Sequence, residues 1–211
     1  MRSLGSVVAT GIEALCDAAF DRWYRLDFGG VIDQADLATN QHPSHANAVR
    51  YEAVAGIDLR VVVSEALRVD PTIQNFLDLG SGKGKSCNYV ERSFGFKNIV
   101  GIEFSAQLIE IAEINNKKLN TQNVTYILAD AARYKIAPAP TIVYMYNPFG
   151  ASILEKFLSN NMEHFCTHGS VIAYVNDRHR SSLTKFGFET VYRDQARKLS
   201  VYRLPDPAGG S

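Results

Sequence analysis

The chain has 211 residues, 46% hydrophobic and 21% charged, which suits one packed domain and excludes a largely disordered chain. Twenty-two Lys and Arg are balanced by twenty-two Asp and Glu, so the broad basic footprint of a phosphate-held nucleic-acid binder is missing. Three scattered cysteines, no apolar run near 18 residues and no apolar leader core argue against a disulfide framework and a membrane span, and for a reducing cytoplasm.

Residues 1–52 read as an N-terminal extension. Over 6–24 the residues Val8, Ile12, Leu15, Ala19 and Trp23 recur on one helical face, with Trp23 as a packing anchor. Residues 25–48 are polar and irregular. His42 and His45 are split by Pro43 and lack an acidic or Cys cluster, so no metal site is expected there. A loop of this length suits a lid over a pocket. A helix follows over 54–69, with Val54, Ile57, Val61, Val62, Ala66 and Leu67 as its apolar residues, and Asp70-Pro71 ends it.

The most informative stretch is 75–86, Asn-Phe-Leu-Asp-Leu-Gly-Ser-Gly-Lys-Gly-Lys-Ser. Phe76, Leu77 and Leu79 suit a buried parallel strand. Asp78 and the glycines at 80, 82 and 84 suit a sharp turn that lets a ligand approach the main chain. A helix over 85–94 would then direct its free N–H groups at that ligand. Three ligands compete for such a loop. A P-loop needs Gly at 79, where Leu79 stands; a dinucleotide loop needs a small residue at 85, where Lys85 stands; a methyl-donor loop needs neither.

A second buried strand over 98–103 ends in Glu103, 19 to 23 residues beyond the glycines, the distance at which an acid accepts ribose hydroxyls in a βαβ nucleotide site. Ser105 caps the next helix. The third strand, 123–128, ends in Ala129-Asp130-Ala131, where Asp130 suits either an adenine amino group or a capping role. The fourth, 140–146, ends in Asn147-Pro148-Phe149-Gly150 at the ligand edge of the sheet. There Asn147 offers a carbonyl to an amine, Pro148 stiffens the turn and Phe149 offers a ring.

A helix over 152–165, a fifth strand over 170–175, a helical piece over 180–186 and a strand pair at 188–192 and 198–203 complete the pattern. His164 and His179 read as core or surface histidines. Asn176-Asp177 resembles a Walker B acid but has no matching P-loop. Residues 177–203 carry seven Lys or Arg against three acids, read as a solvated edge. The expected domain is 53–204, with a disordered tail at 205–211. The fold class is α/β, an open doubly wound sheet with helices on both faces and an antiparallel closing hairpin.

Together, Asp78 to Gly84, Gly101-Ile102-Glu103-Phe104-Ser105, Ala129-Asp130-Ala131, Asn147 to Gly150 and the terminal hairpin resemble the class I S-adenosylmethionine-dependent methyltransferases, over about 53–204. Phe20 to Asp27 and Arg50-Tyr51-Glu52 are similar to a group of small bacterial methyltransferases. The glycine loop and the Gly-Ile-Glu strand resemble non-SET lysine methyltransferases. Asn147-Pro148-Phe149 resembles the Asn/Asp-Pro-Pro-Tyr/Phe motif of amino-group methyltransferases, with one proline in place of two.

The resemblance implies a seven-stranded sheet and S-adenosylmethionine as cofactor. It implies an amino acceptor on a protein, such as a lysine, or on a small molecule. It also implies roles for single residues. Asp78, Gly80, Ser81 and Gly82 hold the methionine moiety and Glu103 the ribose. Phe104 and Ala131 flank the adenine, and Asp130 accepts from its amino group. Asn147, Pro148 and Phe149 face the methyl group, and Tyr51 closes over the donor. A nicotinamide-dependent oxidoreductase and a non-catalytic nucleotide-binding module are the alternatives. The first lacks a Tyr-x-x-x-Lys pattern and an obvious catalytic His.

Overall fold

The structure is a computed structural model and describes residues 18–30 and 54–205. Seven strands form one sheet: β1 (Asn75–Leu79), β2 (Asn98–Glu103), β3 (Val124–Leu128), β4 (Thr141–Tyr146), β5 (Val171–Val175), β6 (Glu189–Asp194) and β7 (Leu199–Arg203). Their order is β3-β2-β1-β4-β5-β7-β6, with every pair from β3 to β5 parallel and β7 antiparallel to both neighbours. The expected strand count and closing hairpin are therefore present.

The strand sequences explain the two-sided burial. Phe76, Tyr144, Ala173 and Val201 pack on one face beneath α1 (Gly56–Val69) and α2 (Lys85–Ser93). Leu77, Leu79, Val143, Met145, Ile172 and Tyr174 pack on the other, beneath α4 (Ala151–His168) and α5 (Arg180–Lys185). Adjacent strand residues point to opposite faces, and both faces are covered, so the central strands carry apolar side chains at nearly every position.

The helix boundaries have local causes. α1 presents Leu59, Val62, Val63 and Ala66, an i, i+3, i+4, i+7 stripe, and Asp58 on it pairs with Arg197 at 2.7 Å in the β6–β7 turn. α3 (Ala106–Leu119) starts at Ser105, whose hydroxyl accepts from the Leu108 amide, and stops at Asn120 in a left-handed conformation. α4 ends at Gly169, φ 64°.

The basic stretch of 177–203 is locally compensated. Arg180 and Arg193 face Asp177, Arg197 faces Asp58 and Lys185 faces Glu155. Ser200 also donates to Asp177, which is buried and ties β7 to the loop after β5. This carboxylate is a structural tie rather than a Walker-type acid.

The expectation for Trp23 needs correction. Residues 18–23 are helical, but Trp23 is 83% exposed, and Phe20 and Tyr24 make the contact, their rings 5.4 and 5.7 Å from the Arg92 guanidinium on α2. The inward face is one residue further round than the apolar pattern suggested, because a cation–π contact with Arg92 orients the turn. The expectations for the rest of the first helix, for His42, His45 and Tyr51, for most of the lid and for 206–211 fall outside the described residues. Among the described residues no helix is long and apolar enough to cross a membrane, and no group of three metal-ligating side chains occurs.

At the amino end of β5, Ser170 Oγ accepts from the Thr141 amide and lies 2.7 Å from His164 Nε2. Burial, and then the neighbouring His168, push the His164 pKa down to about 4. The unfolded chain takes up this proton near pH 6.5 and the folded chain only near 4, so stability falls as pH drops through that window. Urea titrations at pH 7 and 4.5 should show a smaller loss for His164→Gln than for the unmodified chain.

Candidate functional site

The strand order reverses between β1 and β4, and the crevice at such a switch point lies beyond the carboxyl ends of the strands. Five strand ends are tied to one another there in spatial order. The Ala129 amide beyond β3 donates to the Glu103 carbonyl of β2 at 3.0 Å. The Gly80 and Ser81 amides beyond β1 both donate to the Ile102 carbonyl, at 2.8 and 3.0 Å. Gly80 packs against Pro148 beyond β4, where an added Cβ would stand 2.3 Å from the proline ring. Tyr174 of β5 donates to Asn147 Oδ1 at 3.0 Å.

The glycine loop is compact because its amides are used internally. Gly82 donates to Glu103 Oε2 and Gly84 to the Ser81 carbonyl. Gly80, Gly82 and Gly84 all have positive φ, and a Cβ on Gly84 would meet the Tyr126 hydroxyl at 2.2 Å. The amides of 80, 81, 82 and 84 are thus all committed within the protein. Ser81 Oγ is buried over Gly101 and has no hydrogen-bond partner among the described residues.

Glu103 is 4% exposed and its carboxylate accepts three amides: Gly82 on Oε2, and Phe104 and Ser105 on Oε1. Burial raises its pKa, and the three N–H donors oppose that rise. A carboxylate has about four acceptor positions, so one remains, on Oε2. That position suits one ribose hydroxyl. Reaching both hydroxyls requires an amide to yield its place.

Asp78 is 1% exposed and lies beneath the loop against Cys87, whose Sγ is 3.7 Å from Oδ2. Burial lifts its pKa to about 7, against opposing hydrogen bonds from Ser86 and Cys87. Asp130 accepts from the Ala132 amide and so caps the one-turn helix Ala131–Arg133. Phe104 and Ala131 are half-buried at the ends of β2 and β3.

Asn147 is buried with φ 42°, a left-handed turn that asparagine tolerates better than most residues. Phe149, also buried, packs with Ile153 and Phe157 in the α4-side core. Its ring is thus part of the support under the turn. Tyr51 lies outside the described residues.

The sequence reading missed Tyr174 and a polar junction at Lys83. Lys83 Nζ meets Asp27 Oδ1 at 2.6 Å and the Gly29 carbonyl at 2.8 Å. Buried Asn115 on α3 holds both sides of this junction, exchanging two hydrogen bonds with the Asp27 backbone and donating to the Lys83 carbonyl. The segment 18–30 is thereby fastened to the glycine loop. A lysine inside a glycine loop and an asparagine on an apolar helix face were the available signals.

This sheet order, with a glycine loop after the first strand and an acid ending the second, defines a Rossmann-like methyltransferase fold. Residues 76–169 match the family described as "Methyltransferase domain". A release factor glutamine methyltransferase of Buchnera aphidicola subsp. Schizaphis graminum is 31% identical over 74 residues, which are 35% of this chain and 27% of that protein. The chain thus spans little more than a quarter of this relative's length.

Among solved structures, a ribosomal protein L11 methylase from Lactobacillus delbrueckii subsp. bulgaricus superposes with a TM-score of 0.53 at 12% identity, covering 71% of this chain and 79% of its own. The N-methyltransferase NodS of Bradyrhizobium japonicum WM9 does so with a TM-score of 0.52 at 13% identity, covering 70% and 94%. At such identities these likenesses concern the fold. Neither the family match nor these neighbours favour an oxidoreductase.

Two outcomes follow from the geometry. Gly80→Ala should lose roughly 2–4 kcal/mol in chemical denaturation, from a left-handed alanine and a clash with Pro148. For Asp78 the folded pKa lies above the unfolded 3.8, so its contribution is full below 3.8 and is lost as pH rises through about 7. The fall in melting temperature between pH 5 and 8 should therefore be smaller in Asp78→Asn than in the unmodified chain.

Proposed function

We propose that the chain transfers the methyl group of S-adenosylmethionine to an amino nitrogen of a protein side chain or small molecule. The observation that carries the choice of cofactor is the use of the loop amides. Gly80, Ser81, Gly82 and Gly84 spend their N–H groups on Ile102, Glu103 and Ser81, which disfavours a pyrophosphate and suits a ligand with cationic groups. The name of the NodS neighbour, and the glutamine side chain named for the Buchnera relative, both favour a nitrogen acceptor.

When bound, S-adenosylmethionine supplies a methyl group on a positively charged sulfur. The residues present fit it. Glu103 has one acceptor position for a ribose hydroxyl, and Asp78, Gly80, Ser81 and Gly82 form the methionine end. Phe104, Asp130 and Ala131 form the adenine end. In this reading 53–204 is the methyltransferase unit and 1–52, with Tyr51, is an N-terminal extension.

Asn147 Oδ1 accepts from Tyr174 and keeps a second lone pair for an acceptor N–H. Holding that N–H aims the nitrogen lone pair. An amine attacks only when neutral, and the Asn147 amide does not titrate, so Asn147 orients the nucleophile and takes no proton. Pro148 against Gly80 holds this turn at the glycine loop, and Phe149 anchors it from below. Alignment of this kind can supply roughly 7–11 kcal/mol of the barrier reduction.

Thermal shifts with S-adenosylmethionine, S-adenosylhomocysteine, NAD and ATP test the reading. The adenosyl pair should stabilise by about 2.7 kcal/mol at 100 times the dissociation constant, and Glu103→Ala should abolish that gain. A rise with NAD or ATP alone would overturn it. Asn147→Ala should cut turnover and leave the donor-induced shift nearly intact.

A further inference from the structure

We propose that Tyr174 is the positioning residue for Asn147: its hydroxyl fixes which edge of the Asn147 amide faces the methyl acceptor. This rests on the reading of Asn147 as the acceptor-side residue. Tyr174 belongs to β5, is 1% exposed, and sits with its ring in the α4-side core. Its hydroxyl has two neighbours. The His179 backbone amide lies 3.3 Å away and Asn147 Oδ1 lies 3.0 Å away.

A backbone N–H can only donate, so His179 takes a lone pair of the Tyr174 oxygen. The hydroxyl proton is left for Asn147, where an amide oxygen satisfies it and an NH₂ would strand it. The direction of the chain is therefore set from its far end. That end is itself rigid: the Asp177 amide donates to the Lys198 carbonyl at 3.3 Å, and the Asp177 carboxylate receives Ser200 and Arg193. The loop after β5 thus holds His179, His179 orients Tyr174, and Tyr174 orients Asn147.

The left-handed turn at Asn147 fixes the backbone but leaves the amide free to rotate by half a turn. Such a flip would exchange the carbonyl oxygen and the NH₂ between the two edges of the amide. The contact with Tyr174 is the single hydrogen bond that the Asn147 side chain makes among the described residues, so it alone distinguishes the two orientations.

The test uses the full chain and Tyr174→Phe, which keeps the ring in the core. The Asn147 side-chain amide is assigned in ¹H–¹⁵N spectra by its loss in Asn147→Asp. In Tyr174→Phe this pair of resonances should move selectively while the backbone spectrum stays in place. The carboxylate introduced by Asn147→Asp should titrate about one pH unit lower with Tyr174 present than in the double variant carrying Tyr174→Phe, because a donated hydrogen bond favours the charged form. An unmoved amide pair and equal titrations would overturn the proposal.

With labelled S-adenosylmethionine and a panel of a lysine peptide, a glutamine peptide and a small primary amine, Tyr174→Phe should lower kcat about 10- to 100-fold. The donor dissociation constant should stay within about twofold. If the panel is not methylated but the amide resonances move as expected, the acceptor reading fails and the positioning role stands. If methylation is equal in both proteins and the resonances are unmoved, the positioning role fails and the acceptor reading stands.

Discussion

The ligand edge of this sheet depends on the carboxylate of Glu103. A carboxylate taken out of water is tolerated only when hydrogen bonds replace its hydration, and here the Gly82, Phe104 and Ser105 amides do so. These charge-assisted bonds oppose the desolvation penalty without cancelling it, and the carboxyl stays above its ordinary range. The same bonds set the shape of two turns at once. Gly82 belongs to the loop after β1, and Phe104 and Ser105 lead into α3. One side chain therefore holds the glycine loop and the start of the next βα unit in a common frame.

From that frame the crevice extends outwards by short contacts that leave little freedom. Ile102 receives two amides of the glycine loop, Gly80 leaves room for Pro148, and Gly101 leaves room for Ser81. These glycines are needed for space as much as for backbone conformation. A Cβ on Gly101 would stand 2.7 Å from both Ser81 Oγ and the Tyr126 ring. Tyr174 and Asn147 add β5 to the series, and Lys83 with Asn115 adds the segment 18–30. The crevice is thus a shared property of strand ends that are remote in the chain.

Asp78 and His164 sit at opposite ends of the sheet and work in opposite directions. Burial raises Asp78 to about 7 and lowers His164 to about 4. Between these values both are predominantly uncharged, and neither places a bare charge in the core. Their slopes with pH oppose each other, so the pH dependence of the whole chain understates each one.

Sequence by itself determined the alternation of elements, because the glycine loop, the acid at Glu103 and the Asn147-Pro148 turn each have a strong local cause. Apolar runs bounded by turn residues read as buried strands whatever they pack against. The antiparallel pairing of β6 with β7 also followed from their short connection, whereas the insertion of β7 beside β5 did not. What only the tertiary structure decided was which partners these residues take. Trp23 continued the apolar stripe of Ile12, Leu15 and Ala19, and only the fold shows Tyr24 turned to Arg92 instead. Asp130 read equally as an adenine partner or a cap, and only the fold shows its Oδ1 accepting from the Ala132 amide. Phe149 looked like a ring for the ligand, yet α4 lies under it and takes it into the core. Tyr174 carried no signal, since a tyrosine in an apolar strand is ordinary until Asn147, 27 residues earlier, is brought to 3.0 Å. Local propensity is written along the chain, whereas hydrogen-bond direction and side-chain burial depend on residues that the sheet brings together.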